Sequence, residues 1–440
     1  MVRTLIALLA LCPLAAFAGE RHIFRFGGSI PVSFESSVGA IGGLLVSTHN
    51  GAGFAVVEDL TDAQAMTLAK DSGASEVLPD AGVRLRLGGL GEESDPRIFI
   101  ATSSSPADAA VYPWQWHLRA IGADKAWQAG RLGSPAVTVA VIDTGVSYEH
   151  PDLAGLVDLD RSVSFVPSDD ADVEAIFPGR HPVTDLFYHG THVAATISSN
   201  ARIAAGVTQN VTIMGVKVLS RWGEGTFSGV LDGLLWAADH GADIANLSIG
   251  DTLSKPQNGR YVAMINQAFN YAHRKGTLVI VAAGNESRDL DHDGASFNMY
   301  CNAPNVVCVS ATGPASAQGI AGPWSDVDGF APYSNHGRSA ISVAAPGGTV
   351  AARVWAACSK TSLLVPFCQD SDEVLGIGGT SMAAPHVAGL AALIVEDIGP
   401  GKPSQVKSRL QRTADDLGAK GTDPLYGKGR INVPRALGLE

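Results

Sequence analysis

The chain has 440 residues, 46% hydrophobic and 17% charged, a balance that belongs to a folded globular protein and excludes a disordered or fibrous one. Its formal net charge is -12 and it carries no basic run, which argues against a nucleic-acid or anionic-membrane surface as partner. Its 50 glycines exceed the average usage of roughly 7% and predict tight turns and close backbone approaches.

The opening MVRTLIALLALCPLAAFAGE has a basic Arg3, an apolar stretch and a small-x-small exit at Ala16 and Ala18. It predicts a secretory signal over 1–18 and an exported product, extracellular or periplasmic. Cys12 invites a lipoprotein reading, but Leu11 is bulkier than that signal tolerates. No later run approaches the roughly 20 apolar residues of a membrane span, so no membrane partner is expected.

A small unit follows, clearest over 53–87, which reads strand, helix, strand. Thr61 and Gln64 form a capping-box pattern at the helix start, and Gly73 stands at its stop. The Gly-, Ser- and acid-rich stretch 88–110 is a linker signature. From 113 onward, short apolar runs at 137–142, 212–219, 244–249, 278–283 and 306–309 alternate with helical patterns at 191–198, 227–240 and 261–275, the last stopped by Gly276. That alternation predicts an α/β fold, a mainly parallel central sheet with helices on both faces, whose functional groups lie beyond the strands' carboxyl ends. Beyond the signal stand Cys301, Cys308, Cys358 and Cys368. In an exported protein they read as disulfides, and their spacing favours 301 with 308 and 358 with 368 among the three possible pairings.

Three segments carry catalytic residue types at such strand and helix ends. Asp143 closes an apolar strand in VTVAVIDTG (137–145), His189 opens a helix in HGTHVAATI (189–197), and Ser381 opens another in GTSMAAPHVAGLAAL (379–393). Singly, each has an ordinary reading: a turn carboxylate, a structural histidine, an N-cap serine. His189 and His192 do not make a zinc motif, because H-G-T-H lacks the spacing and the glutamate of H-E-x-x-H. Together they supply what a serine nucleophile needs, a base and a carboxylate that orients the base. Asn285, beyond Gly284 after the strand at 278, offers an amide N–H to a tetrahedral oxyanion, with an Asx turn or a glycosylation sequon as its other readings. The G-x-S-x-G elbow of α/β-hydrolases, the esterase alternative, is absent because Ala383 replaces its last glycine, and the order here is Asp, His, Ser. Pro385 falls near the helix start, where its missing N–H costs little. The carboxylates of Asp289, Asp291 and Asp293 in DLDHDG alternate as calcium ligands do, although Tyr300 stands where an EF-hand has its glutamate.

The ordered stretches AVIDTG (140–145), HGTHVA (189–194), VAAGN (281–285) and GTSMAAPHVAG (379–389) make residues 113–440 resemble the subtilisin-type serine endopeptidases. The resemblance implies an Asp143, His189, Ser381 triad with Asn285 and the Ser381 N–H as oxyanion donors. It implies an inhibitor-like propeptide and linker over 19–107, removed by self-cleavage to leave a mature N-terminus near residues 95 to 112, and a peptidase domain over 108–440. Substrates are then extended protein or peptide chains added as a strand along LSRWGEGTF (219–227), with Ser220, Trp222, Gly223 and Gly225, while Leu247, Ser248 and Gly250 line the pocket before the cut. Glu224 near that edge points to tolerance for basic side chains. The chemistry implies no cofactor, with structural calcium as an accessory. Asp152 matches a calcium ligand of many relatives, but the loop 198–207 is too short to complete that site. A monomer is expected. Departures are Tyr188 and Ala195, where glycines are common, and a long insertion over 161–188 that can shape the substrate's approach. The alternative of another class is a catalytically silent binding protein on the same fold.

Overall fold

A computed structural model describes residues 20–88, 91, 105–370 and 374–440. The predicted signal and linker positions 89–90 and 92–104 lie outside the described residues. The chain divides into two units between Asp80 and Ala81.

In the first unit the elements are β1 (His22–Arg25), α1 (Phe34–Ala40), β2 (Leu44–His49), β3 (Phe54–Glu58), α2 (Asp62–Ser72) and β4 (Glu76–Pro79). The strands pair antiparallel in the order β2-β3-β1-β4. Phe34 of α1 stands edge-on to Phe24 at 5.3 Å and to Phe26 at 5.2 Å, and the core they share takes in Val57, Leu60 and Leu68. The capping box forms: Thr61 Oγ1 accepts from Gln64 N, and the Gln64 side chain accepts from Thr61 N at 3.0 Å. Gly73 ends α2 at φ 73°, a left-handed value that favours glycine.

The second unit begins with β5 (Gly82–Arg84), followed after the linker by α3 (Trp116–Ala120), α4 (Ala123–Gln128), β6 (Thr138–Asp143), β7 (Val163–Ser164), α5 (Pro167–Ile176) and α6 (His189–Ile197). Next come β8 (Thr212–Lys217), β9 (Glu224–Thr226), α7 (Phe227–Asp239), β10 (Ile244–Leu247), β11 (Asp251–Ser254), α8 (Lys255–Lys275), β12 (Leu278–Ala282), β13 (Ser296–Met299) and β14 (Val307–Thr312). The chain closes through β15 (Ser316–Ala317), β16 (Trp324–Ser325), β17 (Val343–Pro346), β18 (Val354–Ala357), α9 (Phe367–Asp370), β19 (Val374–Ile377), α10 (Thr380–Ile398), α11 (Pro403–Arg412) and α12 (Val433–Ala436).

Seven strands form one parallel sheet in the order β17-β14-β12-β10-β6-β8-β7. Every residue of β6, β10, β12, β14 and β17 is buried, as helices on both faces require. α8 starts six residues before its predicted first turn, with a break at Asn258 (φ -122°, ψ 22°), and stops at Gly276 as expected. Both expected disulfides form, Cys301 with Cys308 and Cys358 with Cys368.

α10 is 19 residues long and apolar enough to cross a membrane on length and composition, yet every residue from Thr380 to Val395 is buried within the unit. It packs on α6 and on β10, β12, β14 and β17. Its small residues permit that approach: a Cβ on Gly389 would lie 2.6 Å from Val207 Cβ. Gly389→Ala should therefore destabilise the chain by about 1–3 kcal/mol, the overpacking outweighing the roughly 1 kcal/mol that alanine gains in helix propensity. Urea denaturation in a Ser381→Ala background measures this, and Val207→Ala should recover part of the loss.

Candidate active site

The parallel sheet delivers the ends of β6, β10 and β12 to one edge, and the helices that follow bring polar groups to meet them. Asp143 ends β6 with no exposed surface. Its Oδ1 accepts from Thr144 N at 2.8 Å, and its Oδ1 and Oδ2 lie 2.8 and 2.9 Å from His189 Nδ1. Only glycine fits at 190, because a Cβ there would stand 2.2 Å from Gly145 O, so α6 can descend onto the β6 turn. The carboxylate fixes the Nδ1–H tautomer of His189 and leaves Nε2 as an acceptor. That Nε2 is buried without a partner among the described residues.

Asp185 braces this pair from behind. Its Oδ1 accepts from Thr144 Oγ1 and Phe187 N at 3.0 Å each, and its Oδ2 accepts from Thr191 N at 3.0 Å and Thr191 Oγ1 at 2.6 Å. Burial raises the pKa of its carboxyl, and the Thr191 bonds pull the other way. The insertion is anchored nearby: buried Lys217 Nζ reaches Asp169 at 2.8 Å and donates to Thr184 O at 2.8 Å, while Asp169 Oδ2 accepts from Arg221 N at 2.9 Å. Tyr188 is buried and stacked on Phe187 at 4.4 Å.

Ser381 is the second residue of α10, and its Oγ donates to Ser248 O at 3.2 Å instead of to His189. In return Ser248 Oγ donates to Ser381 O at 3.0 Å. This corrects the expectation for Pro385. It is the sixth residue of α10, past the first turn, and its missing N–H leaves the Ser381 carbonyl without its helical donor. The Ser248 hydroxyl takes that place, so the proline couples the helix start to the end of β10.

Asn285 follows β12. Its Oδ1 accepts from Thr380 N at 2.9 Å and Thr380 Oγ1 at 3.0 Å, which leaves Nδ2 to donate to Arg86 O at 2.7 Å. The expected substrate edge is strand-paired: β5 runs antiparallel to β9, with Val83 opposite Gly225, and Leu85 N donates to Gly223 O at 2.7 Å. Ser220 N donates to Glu224 O at 2.8 Å, Trp222 is exposed with Arg221 over its ring, and Leu247 is buried in β10. Gly250 lies against the Met299 carbonyl, 2.5 Å from where its Cβ would stand.

The structure does not bring Asp289, Asp291 and Asp293 together. Asp289 meets Asp291 N and His292, Asp291 accepts from Arg338 N and Ser339 N, and Asp293 accepts from Ser296 Oγ. Among the described residues, only Glu20, His22 and Asp62 gather metal-capable atoms within 4.8 Å. The Asp152 carboxylate is met by the backbone N–H groups of Arg202, Ile203 and Ala204 at 2.7–2.9 Å. Sequence reasoning missed Thr380, although it stands directly before Ser381, and Asp251, although it directly follows the pocket stretch 246–250.

A carboxylate, an imidazole and a hydroxyl at the carboxyl edge of one parallel sheet define the class as a serine-type hydrolase. The sequence profile described as the subtilase family matches residues 134–429, and the chain belongs to that family. It is 32% identical over 352 residues to the thermophilic serine proteinase of Bacillus sp. strain AK1, covering 79% of this chain and 73% of that protein. It is 30% identical over 336 residues to thermitase of Thermoactinomyces vulgaris, covering 76% of this chain and 99% of thermitase. The same fold occurs in the epidermin leader peptide processing serine protease of Staphylococcus aureus, with TM-score 0.73 at 19% identity over 96% of this chain and 98% of that one. The chain is thus a serine-type endopeptidase.

Four further histidines lie buried among the described residues of this unit, His117, His150, His192 and His386. His192 Nε2 donates to Val354 O and Leu375 O, both at 3.1 Å. His386 Nδ1 donates to Met382 O at 2.7 Å, so its Nε2 accepts from His117 Nδ1 at 2.7 Å. Burial lowers His192 to about 3, His386 to about 4, and His117 well below its ordinary value. These last three rings fold neutral and take up protons on unfolding, so the stability they allow is full above their unfolded value and is lost as pH falls from about 6.5 toward the folded values. For His386 alone this is about 3 kcal/mol. Calorimetry of the Ser381→Ala chain should show the melting temperature falling between pH 7 and 5; a flat profile would contradict this.

Proposed function

We propose that this chain is an exported serine endopeptidase, made as a self-processed zymogen, that cuts peptide bonds through Asp143, His189 and Ser381. The observation that carries the reading is the His189 ring, held at Nδ1 by Asp143 with Nε2 buried and unpartnered. A buried acceptor without a donor is costly, and a base awaiting a proton accounts for it.

In the proposed reaction Ser381 Oγ attacks the carbonyl carbon as His189 Nε2 takes its proton, and Asp143 stabilises the imidazolium that results. Asn285 Nδ2 and the Ser381 N–H at the start of α10 meet the oxyanion. The C–N bond then breaks, and the leaving amine takes the proton from Nε2. Water repeats the steps on the acyl-enzyme and releases the acid. No cofactor enters. Residues 19 to about 107 act as an intramolecular inhibitor, consistent with the chain at 82–85 occupying the edge of β9.

A fluorophosphonate probe should label Ser381 in the processed protein, whereas a folded but unlabelled chain would favour the silent binding protein. Ser381→Ala should leave the chain unprocessed, read by intact mass. Asn285→Leu should lower kcat roughly 10²–10³-fold with KM little changed, a magnitude borrowed from subtilisin's own oxyanion asparagine.

A further inference from the structure

We propose that the cleft selects a basic residue at the first and third positions before the cut bond, through Asp251 and Glu224, and that the first bond it cuts is its own Arg86–Leu87. This rests on the peptidase reading above. The bond is identified by which carbonyl the candidate oxyanion donor holds. Asn285 Nδ2 donates to Arg86 O at 2.7 Å, so the amide beyond that carbonyl is that of Leu87. Gly88 then passes beside Gly378 and Gly379, just ahead of Thr380 and Ser381, so close that a Cβ on Gly88 would stand 2.2 Å from Gly378 O. This bond lies upstream of the mature N-terminus that the sequence predicts near 95 to 112.

The specificity follows from strand periodicity. In VRLRL (83–87), Val83 and Leu85 point one way and are buried, at 6% and 8% exposure. Arg84 and Arg86 point the other way, and each meets a carboxylate: Arg84 meets Glu224 at 3.0 Å and Arg86 meets Asp251 at 3.3 Å. The two acids come from separate strands, the first residues of β9 and β11, two positions apart along the bound chain. Asp251 Oδ1 also accepts from its neighbour Thr252 N at 2.8 Å, which fixes the carboxylate's orientation. Both pairs are partly exposed, so each should be worth about two- to five-fold in kcat/KM and weaken with salt. Chemically, Ser381 Oγ bonds to the Arg86 carbonyl carbon, the Arg86–Leu87 C–N bond breaks, the Leu87 amine leaves with the proton from His189, and water frees the Arg86 carboxylate.

Two measurements test this. In the full-length chain, the first N-terminal fragment released, followed by intact mass over time, should end at Arg86. Arg86→Glu should delay that release about tenfold, and adding Asp251→Arg should restore it. With the matured enzyme, quenched peptides containing Val-Arg-Leu-Arg-Leu-Gly should be cut about two- to five-fold better than those with methionine at the first or the third position before the bond. Each ratio should fall to about one in Asp251→Asn and Glu224→Gln respectively. A first fragment ending elsewhere, or ratios of one in the unaltered enzyme, overturns the proposal while probe labelling of Ser381 leaves the peptidase reading standing. Loss of the labelling overturns both.

Discussion

A carboxylate with no exposed surface is among the most expensive groups a protein interior can hold, and Asp143 is one. Its oxygens are met by the Thr144 N–H and by an imidazole, and the imidazole is there only because α6 begins directly above the end of β6. That closeness depends in turn on Gly190, on the Thr144 hydroxyl that takes the Gly190 N–H, and on Asp185, which ties Thr144 to Thr191. Satisfying one buried carboxylate thus sets the register of a helix against a sheet. The same bond decides which nitrogen of His189 is left facing the cleft.

The other half of the site is positioned by a missing hydrogen bond. Pro385 frees the Ser381 carbonyl, Ser248 occupies it, and the Ser381 hydroxyl answers to the Ser248 carbonyl. Thr380, one residue earlier, fixes Asn285. Thr380, Ser381 and Pro385 of α10 therefore tie the helix start to the ends of two different strands. The long buried run behind them, with fully buried Leu390, Leu393 and Ile394 each worth about 1.5–3 kcal/mol, keeps the helix start from shifting.

Much of this was legible in the sequence because the physics is local. Buried parallel strands are short continuous apolar runs, so β6, β8, β10, β12 and β14 were readable, whereas β17, four residues ending in proline, was not. The Thr61 box and the stops at Gly73 and Gly276 are local backbone chemistry and stand where predicted. β2 alternates exposed and half-buried residues, too weak a pattern to read. What failed needed partners distant in sequence. The stretch VRLRL reads as a strand of the unit before it, yet its pairing partner is β9, some 140 residues away. The alternating acids at 289–293 resemble a ligand loop until the backbone donors of Asp291 at 338 and 339 are seen.

Strand β9 has one further consequence, for solubility. An uncovered strand edge presents a row of unpaired N–H and C=O groups on which another chain can add, and proteins protect such edges to avoid aggregation. With β5 laid along it, β9 offers no such template, and its first residue, Glu224, is paired rather than bare. The chain's own strand therefore acts as a cap on a sticky surface. Wherever that strand is displaced, the edge becomes adhesive, and the acids beside it then set the charge of the chains that can adhere.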